Sequence, residues 1–125
     1  MEPYKKFACL LWETSSRFFV RLAKLDVMPK NVNKLLVANR GEIALRVVRT
    51  AREMGIPTVA VYAEQDRHAQ YVQMADDAYL LSGDTYKDTY LNEDLLIDIL
   101  QRSGADAVHP GYGFLSEVAT FAQKV

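Results

Sequence analysis

The chain holds 125 residues, half of them hydrophobic and a quarter charged, with a formal net charge of −1. That length accommodates one compact unit and excludes a large multidomain enzyme, and the composition excludes a disordered or collagen-like chain. A near-neutral balance supplies no overall field to draw in nucleic acid or an anionic membrane.

Cys9 is the single cysteine, so no internal disulfide forms. With no Cys/His cluster there is neither a zinc framework nor a secreted scaffold, and a reducing, cytoplasmic setting is expected. No run approaches the roughly 18 consecutive apolar residues of a membrane span. Phe7-Ala8-Cys9-Leu10-Leu11-Trp12 stops at Glu13. Lys5 and Lys6 precede that run, but it is short for a signal-peptide core and no small-residue cleavage site follows it closely.

Charge divides the sequence near Asn33. Residues 1–33 carry six basic and three acidic side chains, and the remainder nine basic and thirteen acidic. Phe7, Leu10, Leu11, Phe18, Phe19 and Leu22 are loosely helical in period but interrupted at Ser15-Ser16, as in an amphipathic arm or a presequence. Met28 offers a natural start, so residues 1–33 are read as an extension, with 1–27 outside the fold, and 34–125 as the domain.

From Lys34 onward short apolar runs alternate with amphipathic segments, the pattern of βαβ units. Leu35-Leu36-Val37-Ala38 reads as a buried strand, and Asn39 as the N-cap of a helix from Gly41 or Glu42 to Met54. Gly55 and Pro57 end that helix. Along it Ile43, Ala44, Val47, Val48, Ala51 and Met54 form the stripe expected to face a sheet. Glu42, Arg46, Arg49 and Glu53 form a charged ridge, with Glu42 and Arg46 in the favourable i,i+4 order. By pattern alone that ridge is an ion-paired, solvated face.

Thr58-Val59-Ala60-Val61-Tyr62 is the second strand, and Asp66 the cap of a short helix through Ala75. Ala78-Tyr79-Leu80-Leu81 is the third strand, leading to a polar loop from Ser82 to Thr89. Asn92 caps a helix with Glu93 and Asp94 in its first turn, and Gly104 ends it. Ala107-Val108-His109 is the fourth strand. Pro110-Gly111-Tyr112-Gly113 breaks it, and Ser116 caps a last helix. The expected fold class is α/β, a parallel Rossmann-like sheet with helices on both faces.

Val37-Ala38-Asn39-Arg40-Gly41-Glu42-Ile43-Ala44 has the strand-turn-helix layout of a mononucleotide-binding unit, but Gly41 stands alone where a dinucleotide fingerprint needs three glycines. Glu64 lies where a ribose-binding acid belongs and does not replace them. In His109-Pro110-Gly111-Tyr112-Gly113-Phe114, two glycines flank a tyrosine at the carboxyl end of a strand. There the backbone either presents the Tyr112 ring to a ligand or makes a tight turn anchored by Tyr112 and Phe114, and the pattern supports both equally. His109 has no recognisable nucleophile or acid beside it and reads as a packed or hydrogen-bonded histidine. Asp76, Asp77 and Asp84 lack the spacing of a calcium loop, so no metal site is expected. No phosphate loop, nucleophile elbow or H-E-x-x-H occurs.

The run from Leu36 to Arg46, L-V-A-N-R-G-E-I-A-L-R, and the run from Ala107 to Glu117, A-V-H-P-G-Y-G-F-L-S-E, together resemble the N-terminal, pre-ATP-grasp domain of biotin carboxylase. Ala60-Val61-Tyr62, Asp66-Arg67, Ala75-Asp76-Asp77 and Tyr90-Leu91-Asn92 extend the resemblance over residues 34–125. That domain occurs in acetyl-CoA carboxylase, which serves fatty acid biosynthesis, and in propionyl-CoA and pyruvate carboxylases. The resemblance implies an ATP-dependent ligase that forms carboxyphosphate from ATP and bicarbonate and carboxylates biotin on a carrier. It implies biotin, ATP and magnesium as cofactors. The implied partners are an ATP-grasp remainder, a biotin carboxyl carrier, a carboxyltransferase and a second copy in a homodimer.

It places Tyr112 and Gly113 beside the biotin and bicarbonate region, and Arg46, Arg49 and Glu53 at the dimer interface. Val118 stands where the family usually has Asn, and Tyr71 where it often has His. The sequence contains none of the ATP-grasp groups that neutralise a transferring phosphoryl group. The chain alone is therefore expected to bind no cofactor firmly and not to turn over. The competing expectation is a non-catalytic Rossmann-like interaction module.

Overall fold

A computed structural model of the chain describes residues 31–125. The expectation that residues 1–27 stay outside the fold lies outside the described residues. Four strands, β1 (Leu35–Val37), β2 (Thr58–Tyr62), β3 (Asp77–Leu80) and β4 (Ala107–His109), pair in parallel in the order β3-β2-β1-β4. Helices α1 (Gly41–Glu53), α2 (Gln70–Met74), α3 (Glu93–Ser103) and α4 (Ala119–Lys124) connect or follow them. The expected parallel α/β architecture is the observed one.

Because side chains alternate across a strand, the sheet carries a core on each face. Leu35, Val37, Ala60 and Ala107 pack with Ala44, Leu45, Val48 and Ala51 of α1 and Tyr71 of α2. On the opposite face Leu36, Val59, Val61 and Val108 pack with Leu96, Ile99 and Leu100 of α3 and Phe121 of α4. Asp106 ties the amino end together, accepting from the backbone N–H of Asn33 and Lys34. Lys124 bridges α4 to the first turn of α3 through Glu93 and Asp94.

α3 follows its sequence signals: Asn92 Oδ1 accepts the Leu95 N–H at 3.1 Å, and Gly104 ends the helix in the left-handed conformation. Other signals are realised differently. Arg40, not Asn39, occupies the position before α1 and makes no side-chain cap, because the Asn39 carboxamide is engaged elsewhere. Met54 lies past the last turn of α1 and is 68% exposed, whereas Leu45 is buried. α2 covers that flank, and Leu45 joins the core that contains Tyr71.

Asp66 closes a 3-10 turn (Glu64–Asp66) rather than capping α2, which follows Ala69 without a side-chain cap. The third strand starts one residue early, at Asp77, although the Leu81 N–H still reaches the Tyr62 carbonyl. Ser116 is buried and does not cap α4; Val118 precedes that helix, and its side chain packs on the α3/α4 core instead of supplying a polar cap.

Candidate functional site

β1 leads through α1 to β2 and then β3 on one side, while β4 lies on its other side. The strand order therefore reverses between β1 and β4, and open parallel sheets bind ligands outside the carboxyl ends of strands at such a reversal. Two segments meet there. One is Asn39-Arg40-Gly41 after β1; the other is 110–114 after β4, held alongside by the Ala38 N–H donating to the His109 carbonyl.

Asn39 is only 1% exposed. Its Nδ2 donates to the Pro110 carbonyl at 2.8 Å and to the Tyr112 carbonyl at 2.7 Å, while its Oδ1 accepts the Arg40 N–H at 2.8 Å. A Cβ on Gly111 would stand 2.8 Å from Asn39 Nδ2 and 2.7 Å from Ile43 Cγ2, so only glycine lets the loop close this far. The crevice that would admit a dinucleotide phosphate is filled by this contact. Tyr112 is 67% exposed: its backbone is fixed and its ring is not a buried anchor. Phe114 does anchor the loop, at a positive φ of 44°, with its ring against Tyr90 and Tyr86 at centroid distances of 5.2 and 5.4 Å.

Arg40 reaches the other way. Its Nε and Nη2 donate to both carboxylate oxygens of Asp66 at 2.7 and 2.6 Å, a bidentate, charge-assisted pairing. The Tyr90 hydroxyl donates to Asp66 Oδ2 and accepts the Ala63 N–H. Next to it, the Tyr71 hydroxyl donates to the Val61 carbonyl at 3.0 Å and lies 3.1 Å from the Tyr90 oxygen. The bonds to Arg40 hold the Asp66 carboxyl below the usual carboxylate range. Burial, aided by the hydrogen bond to Asp66, pushes the Tyr90 hydroxyl up to about 12, and burial raises Tyr71 as well. This chain of groups braces the turn after β1.

His109 is a hydrogen-bonded histidine: Nδ1 accepts the Gly111 N–H at 3.0 Å, and burial lowers its pKa. Arg46, Arg49 and Glu53 lie exposed along α1 with Glu42. None of the ion pairs among the described residues joins Glu42 to Arg46. Asp76 accepts the Thr58 N–H and Asp77 pairs with Lys34, so both are structural. Sequence reasoning missed the roles of Asn39, Arg40, Asp66 and Tyr90. Their only signal was membership in the motifs that carry the resemblance.

Residues 31–125 match the family described as biotin carboxylase, N-terminal domain. The chain belongs to that family. It is 53% identical over 97 residues to the mitochondrial methylcrotonoyl-CoA carboxylase subunit alpha of Dictyostelium discoideum, covering 78% of this chain and 14% of that protein. It is also 53% identical over 92 residues to biotin carboxylase 1 of Bacillus subtilis, covering 74% and 20%. The biotin carboxylase domain dimer of Hydrogenobacter thermophilus 2-oxoglutarate carboxylase, a crystal structure with MgADP, ADP and bicarbonate, superposes with a TM-score of 0.69. That match has 51% identity over 72% of this chain and 20% of that one. The chain thus spans a fifth or less of each of these proteins.

The described residues of this biotin carboxylase N-terminal domain contain no group of three His, Cys, Asp or Glu arranged to hold a metal ion. The β1-α1 turn holds one glycine, and the Asn39 side chain lies between it and the 110–114 segment. No helix among the described residues is long and apolar enough to cross a membrane.

Proposed function

We propose that this domain is the N-terminal part of an ATP-dependent ligase that carboxylates biotin on a carrier, using bicarbonate. The observation that carries the reading is the family match over residues 31–125 together with a fold shared with a biotin carboxylase domain over 72% of the chain. In this reading ATP and magnesium are held by the ATP-grasp remainder, and this domain contributes the Tyr112-Gly113 edge to the biotin side of the site. Arg46, Arg49 and Glu53 form part of a homodimer interface, as their exposure on one helix face and the dimer named for the Hydrogenobacter relative support.

The acceptor served by the carboxyltransferase is an acyl-CoA or a 2-oxo acid, as in the names of the Dictyostelium and Hydrogenobacter relatives, although urea carboxylases are also among the similar proteins. Acetyl-CoA, with a role in fatty acid biosynthesis, is one choice within that class. The single cysteine suits a reducing compartment, and we place the protein in the cytoplasm; import of a fluorescent fusion into mitochondria, the location in the Dictyostelium relative's name, would overturn it.

A chimera tests the reading: residues 31–125 replace the matching segment of Bacillus subtilis biotin carboxylase 1, and ATP cleavage dependent on both bicarbonate and free biotin is measured. Activity comparable with the parent enzyme is the expected result. A folded chimera without biotin-dependent cleavage would return the non-catalytic interaction module.

A further inference from the structure

We propose that Asn39 is the positioning residue of the Tyr112 loop, its carboxamide acting as a two-pronged clamp that sets how the loop presents its ring.

A carboxamide has one end with two donors and one end that only accepts. At Asn39 each end meets the complementary groups. The nitrogen faces two carbonyl oxygens, those of Pro110 and Tyr112, and the oxygen faces the Arg40 N–H. No other orientation satisfies all three. The two carbonyls flank Gly111, whose missing side chain makes room for the nitrogen. The clamp therefore grips Pro110 and Tyr112, on either side of Gly111, and the Asn39 side chain that makes it is buried, so an unmade bond there is costly. Arg40, the next residue, is locked by Asp66, so the clamp stands on a braced base.

The geometry also explains why Asn39 does not cap α1: its side chain is directed across the strand ends rather than onto the helix. A residue placed only to stabilise the helix start would turn its oxygen toward the second or third N–H of α1. That the loop so positioned faces biotin rests on the function proposed above; the clamp itself does not.

The test is NMR on the 125-residue chain. In the wild type, both Asn39 Nδ2 protons should exchange slowly and show couplings across the hydrogen bonds to the Pro110 and Tyr112 carbonyl carbons. Fast exchange of both, without such couplings, would overturn the clamp whether or not any variant folds. In Asn39→Asp the carboxylate turns oxygen toward two carbonyl oxygens. Amide exchange at Gly111, whose N–H donates to His109 Nδ1, should then accelerate at least tenfold while β1 and β2 amides keep their protection.

Acidification that protonates the new carboxyl restores one donor and should raise the loop's protection again, measured against the intrinsic exchange rate at each pH and against the wild-type loop, which shares the Gly111 N–H bond to His109 Nδ1. Loss of packing alone does not produce that pH-dependent gain in protection. Unchanged loop exchange in a folded Asn39→Asp chain would overturn the proposal. Introduced into the chimera, the same substitution should raise KM for free biotin and leave KM for ATP alone. A loosened loop with unaltered biotin KM would uphold the clamp and overturn the biotin placement.

Discussion

The Tyr90 hydroxyl lies 2.5 Å from Asp66 Oδ2 and also accepts the Ala63 N–H at 2.9 Å, so one oxygen joins the exit of β2 to the carboxylate that holds Arg40. Around it the polar groups are fully paired: among the described residues no buried side-chain nitrogen or oxygen lacks a partner. Such a network favours one arrangement of the turn after β1, because each broken bond strands a buried group.

Tyr90→Phe should therefore cost about 1–3 kcal/mol, the range for leaving buried polar groups without a partner. Tyr71→Phe removes a hydroxyl that serves the Val61 carbonyl and touches Tyr90, and should cost less than Tyr90→Phe. Urea unfolding of the three chains decides the order, and an equal or larger loss at Tyr71 would show that Tyr90 is not the pivot.

The same groups set a pH dependence. The Tyr90 pKa is raised in the fold to about 12, above an unfolded value of about 10. Its contribution is fully present below the unfolded pKa and is lost as pH rises through the folded one. Asp66 has the opposite sign. Its folded pKa is depressed by Arg40, so its contribution is present above an unfolded value of about 3.9 and is lost as pH falls through the folded pKa. Urea midpoints should thus converge for wild type and Tyr90→Phe above about pH 10, and for wild type and Asp66→Asn in acid. A pH-independent gap in both comparisons would contradict the linkage.

Two glycines separate packing from backbone conformation. Gly111 and Gly113 both have positive φ, 65° and 67°, so alanine at either bears the left-handed cost of about 1–2 kcal/mol. Only at Gly111 does the added Cβ also meet neighbours, Ile43 and Asn39; at Gly113 the space is open. Gly111→Ala should lose clearly more stability than Gly113→Ala in thermal unfolding. Equal losses would mean that the loop is free to move away from Asn39.

Much of the architecture was legible because periodicity reports burial: strands at 35–37, 58–62 and 107–109 and the Asn92 to Gly104 helix follow from apolar runs and cap residues. Asn39, Asp66 and Ser116 misled for one reason. Each is a residue type that caps helices, but each is buried, and Asn39 and Asp66 bond partners distant in sequence, at Pro110 and Tyr112 and at Arg40 and Tyr90. Local signals do not contain such pairings. The exposure of Tyr112 was equally hidden, since two flanking glycines permit either a buried or a projecting ring.

The α1 ridge offers a test of assembly. Arg46 is exposed and on the side of α1 away from the buried Ala44, Val48 and Ala51, so Arg46→Glu should leave the fold unchanged. At a subunit contact it places unmatched charge, weakening dimerisation of the chimera most at low salt. Sedimentation at decreasing concentration measures it, and an unaltered dissociation range would return the ridge to a solvated face.

Tyr112 separates a structural from a ligand-facing role. Deleting a buried aromatic ring costs about 3–5 kcal/mol, but the Tyr112 ring is 67% exposed and the loop is held by its backbone carbonyl and by Phe114. Tyr112→Ala should therefore lose well under about 1 kcal/mol in urea unfolding of the chain, as surface substitutions usually do. In the chimera the same change should raise KM for free biotin with KM for ATP unaltered if the ring faces biotin as proposed above. Tyr112→Phe keeps that face and loses the hydroxyl, so it should retain most biotin affinity if stacking dominates and lose it if the hydroxyl bonds the ligand. A large stability loss in Tyr112→Ala, combined with unchanged biotin kinetics, would make the ring an anchor and remove it from the site.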